Sequence, residues 1–326
     1  MTPASFPPEL AQLERLAHRT RHAPASVDVL PGDVGRRRYV RLTLPDNRTV
    51  LGVVYPREED EARRRWLAAR AALKESIRVP HLIADDGAGN QIVEDFGRED
   101  LATRLAGAPG ERAHWLERAG RAAAAIGRLP DPQINRPFDA RVFRRELDLA
   151  REAVFDMYLG VALAPGERAE HDAFADALSA EVAGHPSALC HRDFHANNLF
   201  PLSDEVGAID FQDLRMGPET YDLASLLWER TTLDWMTPQI ARRSILEFAA
   251  LRGLDPRALE PALERVLLQR AWKVCGTFAR AVAQGRGEVY RAYLPGQIRL
   301  VARLLRPEGP EARFREVLEA RFGPVC

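Results

Sequence analysis

Lysine is almost missing from this 326-residue chain: of 46 basic residues, Lys74 and Lys273 are the two lysines and every other is arginine. A coding bias accounts for the scarcity, but it leaves only two positions where lysine-dependent chemistry could stand. Cysteine is scarce as well, with Cys190, Cys275 and Cys326 odd in number and far apart. That excludes a disulfide framework and a cysteine-built zinc site. No apolar run reaches the ~20 residues a membrane helix needs. The opening Met1-Thr2-Pro3-Ala4-Ser5-Phe6-Pro7-Pro8 has neither the basic nor the apolar segment of a secretory leader. A cytoplasmic protein with no membrane partner is therefore expected. Excess charge is absent too, since 46 basic against 47 acidic residues leave a net charge of −1. No nucleic-acid partner is expected on that balance, and nothing points to an obligate protein partner. What the chain does have is a 46% apolar share with 29% charged residues, enough to bury a core in one large domain or two ordinary ones.

The two ends of the chain differ in texture. Val27 to Leu30, Arg38 to Leu44 and Thr49 to Tyr55 read as strands, the last two joined by the turn Pro45-Asp46-Asn47. A helix follows from Glu58 to Ser76, then Val79 to Ala84 and Gln91 to Val93 return as strands. From Arg98 onward the spacing is helical: Leu101 to Leu129, Val142 to Leu159, Glu167 to Ala183, Tyr221 to Thr232, and on to Phe322. The interruption is Ala188 to Gly217. The expected architecture is α+β, with a small antiparallel sheet in residues 1–96 and a larger, mainly helical part in residues 97–326. Glu94 to Gly97 form the hinge.

The interruption holds the most informative residues. His191-Arg192-Asp193 is followed by Asn198, and twelve residues later Asp210-Phe211-Gln212 ends a short apolar run. Phosphoryl transfer explains these types in this order. One aspartate accepts the acceptor hydroxyl's proton, while an asparagine and a second aspartate hold magnesium on the nucleotide phosphates. A polar loop between two core strands is the bland alternative; three ordered elements argue against it.

These motifs resemble the aminoglycoside-phosphotransferase/choline-kinase superfamily, whose loop pattern H-x-D-x-x-x-x-N is met by His191, Asp193 and Asn198 and whose metal aspartate is met by Asp210. The resemblance implies a bilobal protein-kinase-like fold, with ATP and Mg2+ as cofactors and Asn198 and Asp210 on the metal. It further implies that Asp222, in Gly217-Pro218-Glu219-Thr220-Tyr221-Asp222, buttresses the loop; capping the helix that begins there is compatible with this. Three blocks, Gly32 to Arg41, Ile209 to Asp213 and Leu268 to Arg280, are similar to the bacterial N-acetylmuramate/N-acetylglucosamine anomeric kinases of cell-wall recycling. That narrower likeness implies phosphorylation of a sugar's anomeric hydroxyl. Phe194-His195-Ala196-Asn197 departs from the group's pattern, which bears on the substrate and leaves the fold untouched. Two alternatives stand: a kinase of aminoglycosides or other small alcohols, and a catalytically silent nucleotide-binding regulator.

At the nucleotide end, Gly32 and Gly35 lie between two strands, either as a phosphate-covering turn or as an ordinary hairpin. The strand lysine of protein kinases is missing from Leu51-Gly52-Val53-Val54-Tyr55, so an arginine from Arg36 to Arg41, with Arg37 and Arg38 foremost, is expected to supply phosphate charge. A solvated basic edge is the other possibility. Glu94 and Phe96 are candidates for binding adenine through main chain, although Phe96 could be plain core. At the acceptor end, Arg192 could stabilise the transferring group or pair with an acid. His195 and His191 could each serve as a general base, but as loop histidines they read first as loop-ordering residues. Glu146 could bind sugar hydroxyls or sit on a solvated face, and Trp228 could line a sugar pocket or pack in the core.

Overall fold

The computed structural model describes residues 10–30, 37–285 and 287–323. Gly32, Gly35 and Arg36 lie outside the described residues. The chain forms two compact units: residues up to Gly107 together with Asn197–Asp213, and Ala108–Ala196 together with Leu214 onward.

The first unit is built on one antiparallel sheet of β1 (Ser26–Val29), β2 (Arg38–Thr43), β3 (Thr49–Val54), β4 (Leu82–Asp85) and β5 (Asn90–Glu94), ordered β1-β2-β3-β5-β4. Side chains alternate along a strand. Val40 and Leu42 of β2 therefore share a face with Val50 and Ile92, and helix α1 (Ala11–Arg19) lays Leu13, Leu16 and Ala17 on them. Each such leucine stabilises the unit by about 1.5–3 kcal/mol. Gly52 in β3 is what lets the helix lie this close, because a Cβ there would stand 2.5 Å from Leu13 Cδ2. Helix α2 (Asp60–Leu73) buries Trp66, Ala69 and Leu73, and Trp66 stacks on Phe211 at 5.5 Å. The 199–208 hairpin joins this unit: Ala208 donates its N–H to the Arg78 carbonyl at 2.8 Å, and Phe200 meets Phe96 at 5.8 Å. The unit runs on through α3 (Leu101–Gly107) and takes back Asn197–Asp213.

The helix expected over Leu101 to Leu129 is broken. Helix α4 (Arg112–Ile126) starts afresh after Gly107-Ala108-Pro109-Gly110, where proline lacks a donor and two glycines weaken propagation. The second unit continues with α5 (Ala140–Arg151), α6 (Pro165–Ala183), α7 (Tyr221–Leu227), α8 (Pro238–Arg252), α9 (Pro256–Ala283), α10 (Glu288–Leu304) and α11 (Gly309–Phe322). Helix α5 begins at Asp139, whose carboxylate accepts the Val142 N–H at 2.8 Å, and runs into π-helical turns over Glu152–Leu159. Helix α7 stops five residues earlier than expected, at Trp228, whose backbone leaves the helical region (φ −129°).

Helix α9 is buried on every side from Arg265 to Trp272 and forms the axis of this unit. Trp272 is fully buried among Phe155, His171 and Phe314. At Gly276 the backbone of α5 comes so near that a Cβ would stand 2.4 Å from Ala150 Cα. One turn back from this crossing, α5 carries Glu146 and α9 carries Lys273. Beside them, strands Ser187–Cys190 and Arg215–Pro218 pair antiparallel and deliver the chain into residues 191–195. Among the described residues no helix is long and apolar enough to cross a membrane.

Candidate active site

The loop after Cys190 is held from below by a buried carboxylate. Asp222, in the first turn of α7, accepts the backbone N–H of His191 at 2.7 Å and of Arg192 at 3.0 Å. Burial pushes the Asp222 carboxyl up, against the His191 charge and these two bonds. Its oxygens serve the loop, as the resemblance implied. Arg192 has φ +82°, a left-handed conformation that costs a side-chain-bearing residue roughly 1–3 kcal/mol. It persists because Arg192 is fixed from three sides. Asp222 holds its N–H, Arg270 Nη1 donates to its carbonyl at 2.8 Å, and its own guanidinium reaches Glu146 at 3.3 Å. Glu146 accepts a second bond from Gln269 Nε2 at 2.9 Å.

This turn presents Asp193, with 28% of its side chain exposed. Lys273 Nζ stands 3.7 Å from its Oδ1. Burial alone pushes the Asp193 carboxyl up; Lys273, then Arg192, Arg270 and His195, outweigh it and hold the group well below the usual carboxylate range. Arg270 is itself buried, donating to Ser225 Oγ at 2.7 Å and lying over the Tyr221 ring at 4.5 Å. Burial pushes His195 down, against the pull of Glu229 and Asp193. His191 is fully buried, edge-on to Phe194 at 5.5 Å, in keeping with loop ordering. Trp228 is half-buried at the end of α7, followed by the buried Glu229, which pairs with Arg230 at 3.3 Å. Gln269, Arg270 and Lys273 were not anticipated. Two signals were available: the Leu268 to Arg280 block that contains all three, and Lys273 itself, one of two lysines among 46 basic residues.

The first unit contains a cavity of about 470 Å³. Leu51, Val53, Val93, Phe96 and Phe200 give it apolar walls, and Arg37, Asn198 and Asp210 line its polar end. Asp210 adopts φ +64°, which turns its carboxylate out of the strand direction while Phe211 behind it is fully buried. Its Oδ1 accepts from Gln212 Nε2 at 2.8 Å and stands 3.6 Å from Arg37. An aspartate carboxylate that is 40% exposed and an asparagine on the same cavity form an all-oxygen donor set that suits a hard divalent cation.

Arg37, Tyr39 and Arg41 line this cavity together, as their spacing on one strand face predicts. Arg38 is exposed on the other side and is not among the lining residues. Of the arginines considered for phosphate charge, Arg41 is otherwise engaged. Its Nε donates to Asp95 Oδ2 at 2.6 Å, and its Nη2 to Asp95 Oδ1 at 3.0 Å and to the Gly97 carbonyl at 2.8 Å. Burial raises the Asp95 carboxyl, but Arg41, Thr49 and the Gly97 N–H bring it below its ordinary value. This pair ties β2 to the segment that follows β5. Glu94 donates its N–H to the His81 carbonyl at 2.9 Å, and its carboxylate bonds Arg78. Phe96 lines the cavity and also packs on Phe200, with Arg78 over its ring.

Residues 26–261 match the phosphotransferase enzyme family (APH). The chain belongs to that family. Two relatives of this phosphotransferase are N-acetylmuramate/N-acetylglucosamine kinases. That of Neisseria meningitidis serogroup B is 29% identical over 289 residues, 84% of each chain. That of Pseudomonas aeruginosa is 29% identical over 267 residues, 79% of this chain and 77% of the relative. Among solved structures, the gentamicin complex of APH(2″)-IIa superposes with a TM-score of 0.65 at 13% identity, over 95% of this chain and 99% of that one. The ADP-bound aminoglycoside phosphotransferase APH(2″)-Ib gives 0.62 at 14% identity, over 95% and 99%. At such identities the structures show a shared fold, the α+β protein-kinase-like fold expected from the loop motif.

Proposed function

We propose that this phosphotransferase moves the γ-phosphoryl group of ATP to a sugar hydroxyl, the anomeric hydroxyl of N-acetylmuramate or N-acetylglucosamine. The observation that carries the reading is the charge around Asp193. Lys273 stands 3.7 Å from this carboxylate, and Arg192 and Arg270 act on it as well; cations this near the acceptor position disfavour a polycationic aminoglycoside and suit a neutral or acidic sugar. The names of the relatives, which span most of this chain, point the same way. A silent regulator is disfavoured because Asp193, Asn198 and Asp210 all stand.

In this mechanism Asp193 accepts a hydrogen bond from the sugar hydroxyl and takes its proton as the new O–P bond forms. The bond from the γ-phosphorus to the β,γ-bridging oxygen breaks, and ADP leaves with that electron pair. Asn198 and Asp210 would hold magnesium, which when bound neutralises charge on the phosphate oxygens. Arg37 contributes charge to the phosphates, in the place of the missing strand lysine. The Glu94 main chain and Phe96 contact the base, and Arg192 acts through Glu146 to keep Asp193 presented. Glu146 supports the loop, and Trp228 is the candidate wall for the sugar.

The reading is tested by offering Mg-ATP with a panel of amino sugars, aminoglycosides and small alcohols while following ADP. Turnover confined to the amino sugars is the expected result. Best turnover of aminoglycosides, or none across the panel, would overturn it.

A further inference from the structure

Helix α9 presents Gln269, Arg270 and Lys273 to the loop at residues 191–195. Gln269 and Lys273, four residues apart, share one face of the helix. Gln269 reaches Glu146, Arg270 reaches the Arg192 carbonyl, and Lys273 faces Asp193 itself. The close crossing of α5 and α9 at Ala150 and Gly276 holds this face against the loop. Lys273 is the single lysine of this unit, which is otherwise served by arginine wherever a cation is needed. Its side chain is 17% exposed, so the choice is not that of a solvated surface.

We propose that Lys273 is a positioning residue for phosphoryl transfer, acting through Asp193 to hold its carboxylate as an oriented anion for the incoming hydroxyl, in a way arginine at the same place does not. The inference rests on the reading of Asp193 as the base. Its physical content is the difference between a point charge and a fork. At 3.7 Å the ammonium lies beyond ordinary hydrogen-bond length, so it supplies charge without taking the lone pair that the hydroxyl must use. A guanidinium is planar and binds carboxylates through two parallel bonds. It would clasp both oxygens of Asp193 and compete with the acceptor. The other charged groups acting on Asp193 are Arg192, Arg270 and His195. Of these, Arg192 is held by Glu146 and Arg270 by Ser225 and the Arg192 carbonyl, and burial pushes His195 down.

The test compares Lys273→Met and Lys273→Arg with the wild type. Lys273→Met lowers kcat by roughly 100-fold, within the range for disturbing a general base, with the KM for ATP unchanged. Its kcat/KM profile loses activity at higher pH on the acid side, because removing a cation raises the pKa of a neighbouring carboxyl. Lys273→Arg keeps the charge, leaves the acid limb in place and still lowers kcat by about tenfold. A second readout needs no acceptor. Proteins carrying carboxyl-13C aspartate, with the Asp193 signal assigned by Asp193→Asn, report that carboxyl's titration directly. Lys273→Met moves it upward. An unmoved titration, or full activity in Lys273→Arg, overturns the proposal. If no sugar is turned over the sugar reading fails, and the carbon titration still decides the coupling of lysine to aspartate.

Discussion

Both sites join distant parts of the chain: in the first unit's cavity Arg37 meets Asp210 at the polar end, and Arg41 meets Asp95 across 54 positions. In the second unit His191 meets Asp222 across 31, Arg192 meets Arg270 across 78 and Glu146 meets Gln269 across 123. The walls differ, with apolar side chains lining the cavity and a web of charges around Asp193. A nucleobase needs a slot with a few main-chain groups, which neighbouring strands and the segment after β5 supply. An oriented carboxylate among cations needs long side chains converging from several helices. On the proposed reading, the difference means that nucleotide binding and proton acceptance rest on separate supports, which separate mutations can damage.

The largest effect is expected at the base. Asp193→Asn, which keeps shape and removes the anion, lowers kcat by about a thousandfold with the KM for ATP unchanged, read by steady-state ADP release. Next is Asp222→Ala. It leaves the buried His191 and Arg192 N–H groups without their acceptor, at about 1–3 kcal/mol each. A fall in Tm together with a roughly 100-fold loss in kcat is the expected outcome. A lowered Tm with full activity would show that the loop does not depend on this carboxylate.

On the nucleotide side the effects are smaller and of another kind. Arg41→Ala and Asp95→Ala each loosen the segment after β5 and raise the KM for ATP about tenfold, leaving the KM for the acceptor alone. In a double-mutant cycle the pair shows a coupling of about 1–3 kcal/mol. Arg37→Ala raises the same KM severalfold, and Arg38→Ala, on the exposed side of β2, leaves it unchanged. An acceptor KM that moves with Arg41 or Asp95 would break the separation of the two supports.

The smallest effect lies outside both sites. Burial pushes His171, set against Trp272, down to about 4. The unfolded chain then binds more protons than the folded one between pH 4 and the ordinary histidine value of about 6.5. Stability is therefore fully present above that window and declines as the pH falls through it. Denaturant midpoints between pH 7 and 4.5 measure the decline, and His171→Asn flattens it.

The loop motif was legible because His191, Asp193, Asn198 and Asp210 stand at fixed local spacing, and the strands of the first unit because their alternation is local. Helix α4 was misjudged at its start because helical spacing on both sides of Pro109 outweighed the breaker. The Arg41–Asp95 latch, the Gln269–Glu146 bond and the Lys273–Asp193 contact were not legible. Each depends on which distant segments pack together, and one arginine among many carries no local mark. Lysine did carry one. In a chain this poor in lysine, the identity of residue 273 was a signal whose partner only the fold could reveal.

The most direct test of the central claim is 31P NMR of the product formed from Mg-ATP and N-acetylmuramate by the wild type and by Asp193→Ala. The account predicts a sugar phosphate attached at the anomeric carbon from the wild type and none from the variant. A phosphate on another hydroxyl, or the same product from Asp193→Ala, would contradict it.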